Sequence, residues 1–167
     1  MKSLVLKTLF FTLIAPCVVT VVVPYWLLPS SARLIPQKWE WNHFTGLVLL
    51  IAGLAIYLWC AWDLIARGQG TPAPYDPPRF LVKGGLYRLT RNPMYVGITA
   101  MLIGEAIFFK SYVLLVYAII VLLGFHLRII YYEEPTLRRL FGEAFESYCR
   151  RVPRWIPIRF SGAGKKR

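Results

Sequence analysis

Four apolar runs, each close to the thickness of a bilayer in length, limit what this chain can fold into. They cover residues 8–28, 44–65, 93–109 and 111–130. A helix needs roughly 20 apolar residues to cross a bilayer, and in lipid every backbone N–H and C=O must be paired within the protein. We therefore predict an all-α fold, a polytopic membrane helical bundle with four transmembrane helices, formed by residues 1–167 as a single domain.

The first run also has features of a secretory signal peptide, because basic residues precede it and small residues follow it. Its apolar core is longer than the ~7–15 residues that are usual for such signals. We expect a retained helix that is bent at Pro16 and Pro24.

The basic residues indicate which side of the membrane each loop faces. The chain has a net charge of +12, and most of its Lys and Arg lie in residues 67–92 and 135–167. By the positive-inside rule, 67–92 is a cytoplasmic loop and both termini are cytoplasmic. No nucleic-acid-binding module accompanies these charges, so we expect membrane lipids as partners and no nucleic acid.

The first half of that loop, residues 68–78, is rich in Pro and Gly and should be extended. It is either a simple connector or a lid over a binding site. The three cysteines, Cys17, Cys60 and Cys149, are odd in number and scattered, which implies neither a disulfide framework nor a metal site.

After Glu133-Glu134-Pro135 the apolar residues recur with the period of a helix. The opposite face of this segment is charged, so residues 135–150 are predicted to form an amphipathic helix at the inner membrane surface.

A polar turn leads directly into the third apolar run. Asn92 is a preferred N-cap residue and Pro93 suits the first helical position. With Arg88 and Arg91 beside it, this helix start could bind an anion, or the arginines could simply anchor the helix at the interface.

Glu133 and Glu134 follow the fourth run and reach the same cytoplasmic face as the turn, although on spacing alone they could merely end a helix. If they lie opposite the arginines, the site suits a zwitterionic or polycationic small molecule with a carboxylate. Glu105 lies inside the third run, where an ionisable group is costly. Glu105 takes part either in the function of the protein or in hydrogen bonding between helices.

From Gly84 to Pro157 the sequence resembles the isoprenylcysteine carboxyl methyltransferase and phospholipid methyltransferase superfamily of small membrane enzymes. The first motif, which is similar to the family's Arg-His-Pro-x-Tyr-x-Gly, is Arg91-Asn92-Pro93-Met94-Tyr95-Val96-Gly97. The second, which is similar to its C-terminal Glu-Glu-x-x-Leu to Pro signature, comprises Glu133-Glu134, Leu137, Phe141-Gly142, Tyr148, Val152-Pro153 and Ile156-Pro157.

The resemblance implies an enzyme that binds S-adenosylmethionine in a cytoplasmic pocket between the two motifs, while a lipophilic acceptor enters from the bilayer. The residues that it places at the cofactor are Arg91, Asn92, Tyr95, Gly97, Glu133 and Glu134. Gly104 is a further cofactor-binding candidate, because a glycine lets the cofactor approach the backbone. Arg154, which would polarise the acceptor, and Glu105 are the catalytic candidates, and no metal is expected.

Two positions depart from the family pattern, since Asn92 replaces the usual His and Phe145 stands where a Tyr is common. A His-dependent step therefore cannot be assumed. The acceptor stays open between an isoprenylcysteine carboxylate, a phospholipid amine and a small thiol, and the oligomeric state is also open. The alternatives are an NADPH-dependent sterol or steroid reductase and a non-catalytic membrane scaffold.

Overall fold

The computed structural model describes residues 14, 16–30, 38–69 and 79–155, and all regular structure in these ranges is helical. The prediction of an all-α fold is confirmed for this part of the chain. The helices are α1 (Val18–Leu27), α2 (Trp41–Gly68), α3 (Pro93–Phe108), α4 (Tyr112–Phe141) and α5 (Glu143–Arg151). A short 3₁₀ turn, Gly85–Arg88, precedes α3.

Two of these helices are long and apolar enough to cross a membrane. They are α2, with 28 residues, which contains the predicted span 44–65, and α4, with 30 residues, which contains all but the first residue of the predicted span 111–130. The apolar helices α1 and α3 are shorter. The first part of the predicted span 8–28 and residues 70–78 of the cytoplasmic loop lie outside the described residues. The crossing of four helices stays a prediction.

Helices α2 and α3 are in direct backbone contact through two pairs of glycines. A Cβ atom added to Gly53 would lie 2.5 Å from the Gly97 carbonyl oxygen, and one added to Gly104 would lie 2.8 Å from the Gly46 carbonyl oxygen. Gly46 and Gly53 of α2 therefore each meet a glycine of α3. Small residues allow this approach, which membrane helices use because lipid provides no hydrophobic drive for association.

The core lies between α2, α3 and α4, where Tyr57, Leu102 and Ala118 are almost fully buried. The outer faces of α2 and α4 instead expose aliphatic side chains, with Val48 at 65% and Ile120 at 60%. An apolar surface of this kind suits a lipid environment rather than water.

The predicted single helix over 135–150 is wrong, because the chain forms two helices there. Glu134–Phe141 is the last part of α4, which continues through a π-helical turn at Ile129–Glu133. Gly142 separates the two helices with a φ of 50°, a conformation that favours glycine. The apolar face of α5, with Phe145 and Tyr148, packs inside the protein against Leu137 and Phe141.

Candidate functional site

The turn before α3 is held by the segment that follows α5. The Arg91 backbone N–H donates to the Pro153 carbonyl oxygen at 2.9 Å. The Thr90 hydroxyl and the Asn92 side-chain amide both donate to the Arg154 carbonyl oxygen, each at 2.9 Å. These bonds join residues that are about 60 positions apart in sequence, so the two motifs meet in space, as the sequence predicts.

A buried carboxylate stands between two arginines at this junction. Arg154 donates from Nε to Glu134 Oε1 at 2.8 Å and from Nη2 to Oε2 at 3.0 Å, while Arg91 Nη1 donates to Oε1 at 3.0 Å. The exposed fractions of the side chains are 7% for Glu134, 14% for Arg91 and 30% for Arg154. We call these three residues the Arg–Glu–Arg cluster.

The cluster determines the charge of Glu134. Burial raises the pKa of the Glu134 carboxyl, but the hydrogen bonds from Arg154 and the charges of Arg91 and Arg154 outweigh it, so the pKa lies below its usual value. Glu134 is therefore ionised at neutral pH, and the cluster carries a net charge of +1 from two guanidinium groups and one carboxylate.

This pKa shift predicts a pH dependence of stability. A carboxyl whose pKa is lower in the folded state stabilises the protein above its unfolded pKa of about 4.3, and loses that contribution as the pH falls through the folded pKa. We expect the difference in melting temperature between the wild type and Glu134→Gln to be constant from about pH 7 to pH 5 and to shrink below about pH 4. Thermal unfolding of both proteins across this range measures it, and a difference that shrinks between pH 7 and pH 5 would contradict the assignment.

A second carboxylate is held beside the cluster. Arg128 Nε donates to Glu133 Oε1 at 2.9 Å, and the Tyr95 hydroxyl donates to the same oxygen. The Tyr95 ring lies against Phe125, with the ring centroids 4.4 Å apart. The Glu133 side chain is 26% exposed, and its Oε2 has no hydrogen-bond partner in the part of the chain that the structure describes. That oxygen is available to a ligand.

The sequence did not predict Arg128 or Cys149 as members of this site. Arg128 precedes Glu133 by five residues, and the π-helical turn of α4, with its i to i+5 repeat, brings the two together. Arg91 Nη1 also donates to Cys149 Sγ at 2.9 Å, and the Tyr148 hydroxyl donates to the Tyr87 carbonyl oxygen at 2.7 Å. Burial raises the pKa of the Cys149 thiol despite the nearby charge of Arg91, so it is not a thiolate nucleophile at neutral pH.

The predicted capping by Asn92 is corrected in one respect. Asn92 does occupy the N-cap position of α3, with Pro93 at the first turn, but its side chain accepts no hydrogen bond from the helix. The amide instead donates to the Arg154 carbonyl oxygen. Arg88, which the sequence places beside Arg91, is exposed and makes no contact with the cluster among the bonds described.

Three predicted site residues on α3 do not join the cluster. Gly97 and Gly104 face α2, where they allow the close approach of the two helices. Glu105 lies three turns beyond the Asn92 turn, about 18 Å along the helix axis. Its Oε2 is buried without a hydrogen-bond partner among the described residues. We therefore leave all three out of the site that we propose below.

An apolar cavity of about 600 Å³ adjoins the cluster. Its walls come from α2, α3, α4, the turn before α3 and the residue after Arg154. The lining residues are Ile56, Leu86, Leu89, Thr90, Pro93, Val96, Leu122, Leu123, His126 and Trp155. Cavities of this volume hold small-molecule ligands.

Fold and site together define a helical protein with helices of membrane length, in which a buried charged cluster adjoins an apolar cavity. A family profile described as phospholipid methyltransferase matches residues 41–144, which is more than half of the chain. The chain therefore belongs to the phospholipid methyltransferase family, and the predicted membership of this methyltransferase superfamily is confirmed.

Proteins that are similar to this chain carry a related name. A probable protein-S-isoprenylcysteine O-methyltransferase of Oryza sativa subsp. indica is 32% identical over 135 residues, which cover 77% of this chain and 69% of the relative. Protein-S-isoprenylcysteine O-methyltransferase A of Arabidopsis thaliana is 28% identical, over 74% of this chain and 63% of the relative. The Schizosaccharomyces pombe enzyme is 33% identical over 47% of this chain and 33% of its own length. No solved structure matches the chain significantly.

Proposed function

We propose that this chain is an integral membrane methyltransferase that uses S-adenosylmethionine and methylates a lipophilic acceptor reaching it from the bilayer. The observation that carries the proposal is the meeting of the two motifs in the Arg–Glu–Arg cluster beside an apolar cavity. The proposal includes four transmembrane helices, a multi-pass topology and cytoplasmic termini.

The charges at the junction fit the cofactor, which carries a carboxylate, an ammonium group and ribose hydroxyls. Arg91 Nε is a buried donor without a partner among the described residues, and Arg91 and Asn92 stand at the start of α3. Glu133 Oε2 offers an acceptor that no described residue occupies. Arg91 and Asn92 would therefore hold the carboxylate, and Glu133 would hold the ammonium group or a hydroxyl.

When bound, S-adenosylmethionine supplies a methyl carbon that an acceptor lone pair attacks, while the electrons of the broken carbon–sulfur bond stay on sulfur. The protein needs no nucleophile of its own for such a displacement, because orientation and the exclusion of water provide the catalysis. Glu134 would hold both arginines in place, and Tyr95 would hold Glu133. Arg154 keeps N–H groups that Glu134 does not occupy, so it could still polarise an acceptor oxygen.

The cavity supports a lipophilic acceptor. Its walls are almost entirely aliphatic or aromatic, and a chain buried there gains roughly 0.8 kcal/mol for each CH₂ group. Relatives of this chain are named for isoprenylcysteine, which combines such a chain with a carboxylate. We favour a prenylcysteine carboxylate, ahead of a phospholipid amine or a small thiol.

Binding of S-adenosylhomocysteine to the detergent-purified protein tests the proposal. We expect Glu133→Gln to weaken this binding by roughly tenfold or more, because it removes a charged hydrogen-bond acceptor. Glu143→Gln is the matched control, since Glu143 is exposed on α5 and should leave the affinity unchanged. Isothermal titration calorimetry of the wild type and both variants gives the three dissociation constants.

The same preparation is titrated in parallel with NADPH. Binding of S-adenosylhomocysteine that depends on Glu133 supports the methyltransferase. Binding of NADPH alone would move the chain to the reductase class, and binding of neither would favour a non-catalytic scaffold. Equal affinities for Glu133→Gln and Glu143→Gln would remove Glu133 from the cofactor site.

A further inference from the structure

The last turns of α2 lie against a pair of glycines that precedes the turn before α3. Arg67 Nη1 is 2.5 Å from the position that a Cβ atom on Gly84 would take. Trp59 Nε1 is 3.3 Å from the position of a Cβ atom on Gly85, whose φ of 58° favours glycine. The end of α2 and the chain around the glycine pair therefore form one continuous surface.

Three basic residues meet on this surface. Arg67 Nη1 lies 3.4 Å from Asp63 Oδ1, and the Arg67 side chain is 56% exposed while that of Asp63 is buried. Arg79 is close by, because its backbone N–H donates to the Gly68 carbonyl oxygen at 2.8 Å, and Lys83 directly precedes the glycine pair. Arg79 and Lys83 are exposed. With Asp63 as the acidic residue among those described here, the three cations leave a net charge of +2.

Exposed apolar side chains border these charges. Trp59 is 59% exposed, and Phe80, which follows Arg79, is 57% exposed. The aliphatic outer face of α2 reaches the same place, since Leu54 and Leu58 are 48% and 52% exposed. Aromatic and basic residues together are typical of the level at which the hydrocarbon of a membrane meets the headgroups. The surface therefore suits a ligand with a charged head and an apolar body.

We propose that a basic patch, formed by Trp59, Arg67, Arg79, Phe80 and Lys83, binds an anionic phospholipid. The three cations contact the phosphate of the headgroup, and the two aromatic side chains contact the glycerol and the first part of the acyl chains. A zwitterionic headgroup carries an ammonium group of its own, which a net charge of +2 repels. None of the patch residues lines the apolar cavity, so this lipid is distinct from the methyl acceptor.

Two lipids with the same chains and different headgroups test the patch. Native mass spectrometry of the detergent-purified protein, titrated with palmitoyl-oleoyl phosphatidylglycerol or phosphatidylcholine, gives a dissociation constant for each. We expect the wild type to bind phosphatidylglycerol roughly tenfold more tightly. The double variant Arg79→Gln with Lys83→Gln should bind the two lipids about equally. Arg67 is kept, because its removal would leave the buried Asp63 carboxylate without its cation.

Arg139→Gln with Arg150→Gln is the matched control, since it removes the same charge from exposed positions at the end of α4 and on α5. This variant should keep the preference for phosphatidylglycerol. An equal loss of the preference in both double variants would show that net charge attracts the lipid and would overturn the patch, as would equal affinities of the wild type for the two lipids. Glycerol phosphate, which has the anion without the chains, should not displace phosphatidylglycerol. Displacement would show a site for soluble anions instead.

Discussion

Replacing Glu134 with Gln is expected to lower the free energy of unfolding by about 3 kcal/mol, at the lower end of the range for breaking a buried ion pair. Glu134 accepts three hydrogen bonds from Arg91 and Arg154. The substitution removes the negative charge that the guanidinium groups of Arg91 and Arg154 share. The Arg91 side chain is only 14% exposed, so water cannot replace that charge fully. Thermal unfolding of the detergent-purified protein, followed by circular dichroism, measures the loss.

Glu146→Gln is the matched control for this experiment. Glu146 also forms an ion pair, with Arg138 at 2.7 Å, but the two side chains are 44% and 50% exposed. Exposed pairs contribute about 0–1 kcal/mol, so this variant should unfold close to the wild-type temperature. Comparable losses of stability in the two variants would mean that burial does not determine how much the Arg–Glu–Arg cluster contributes to stability. Glu134→Asp, which keeps the charge, should lose less than Glu134→Gln.

The charged part of the site could be predicted because charges beside apolar runs stand out in a sequence. Arg91, Glu133 and Glu134 border segments in which an unpaired charge is costly, so their pairing across the two motifs is a physical expectation. The structure brings these residues together as the topology implies. Asn92 occupies the N-cap position that its residue type predicts, although its side chain bonds to the chain after α5 instead of capping α3.

The rest of the site depends on groups that a sequence pattern does not display. The carbonyl oxygens of Pro153 and Arg154 hold the turn, and every residue has such an oxygen. The pairing of Arg128 with Glu133 requires the π-helical turn, whose five-residue repeat differs from the three- and four-residue spacing of an α-helix.

Glycines in an apolar helix are ambiguous for a similar reason. A missing Cβ can admit a cofactor or a neighbouring helix, and the sequence does not distinguish the two. Gly97 and Gly104 were assigned to the cofactor, but each meets a glycine carbonyl of α2. The two contacts, Gly46 with Gly104 and Gly53 with Gly97, are seven residues apart on both helices. This equal spacing is the signal that could have identified them as a helix interface.

The second large effect is expected at this interface. Gly97→Ala would place a Cβ atom 2.8 Å from the Gly53 carbonyl oxygen, a backbone atom that cannot rotate away. The helices would have to move apart, and the second glycine contact resists that movement. We expect a loss of about 3 kcal/mol in the free energy of unfolding, the upper part of the usual range for overpacking. Thermal unfolding in detergent is again the measurement.

Gly124→Ala provides the control, because a Cβ atom at Gly124 on α4 would meet nothing within 4 Å. Alanine is favoured over glycine in a helix by roughly 1 kcal/mol, so this variant should be as stable as the wild type or slightly more stable. Replacing glycine with alanine is therefore expected to lower the stability of the protein on α3 and to leave it unchanged or raise it slightly on α4. If Gly97→Ala were as stable as Gly124→Ala, the backbone contact between α2 and α3 would not be present in the folded protein.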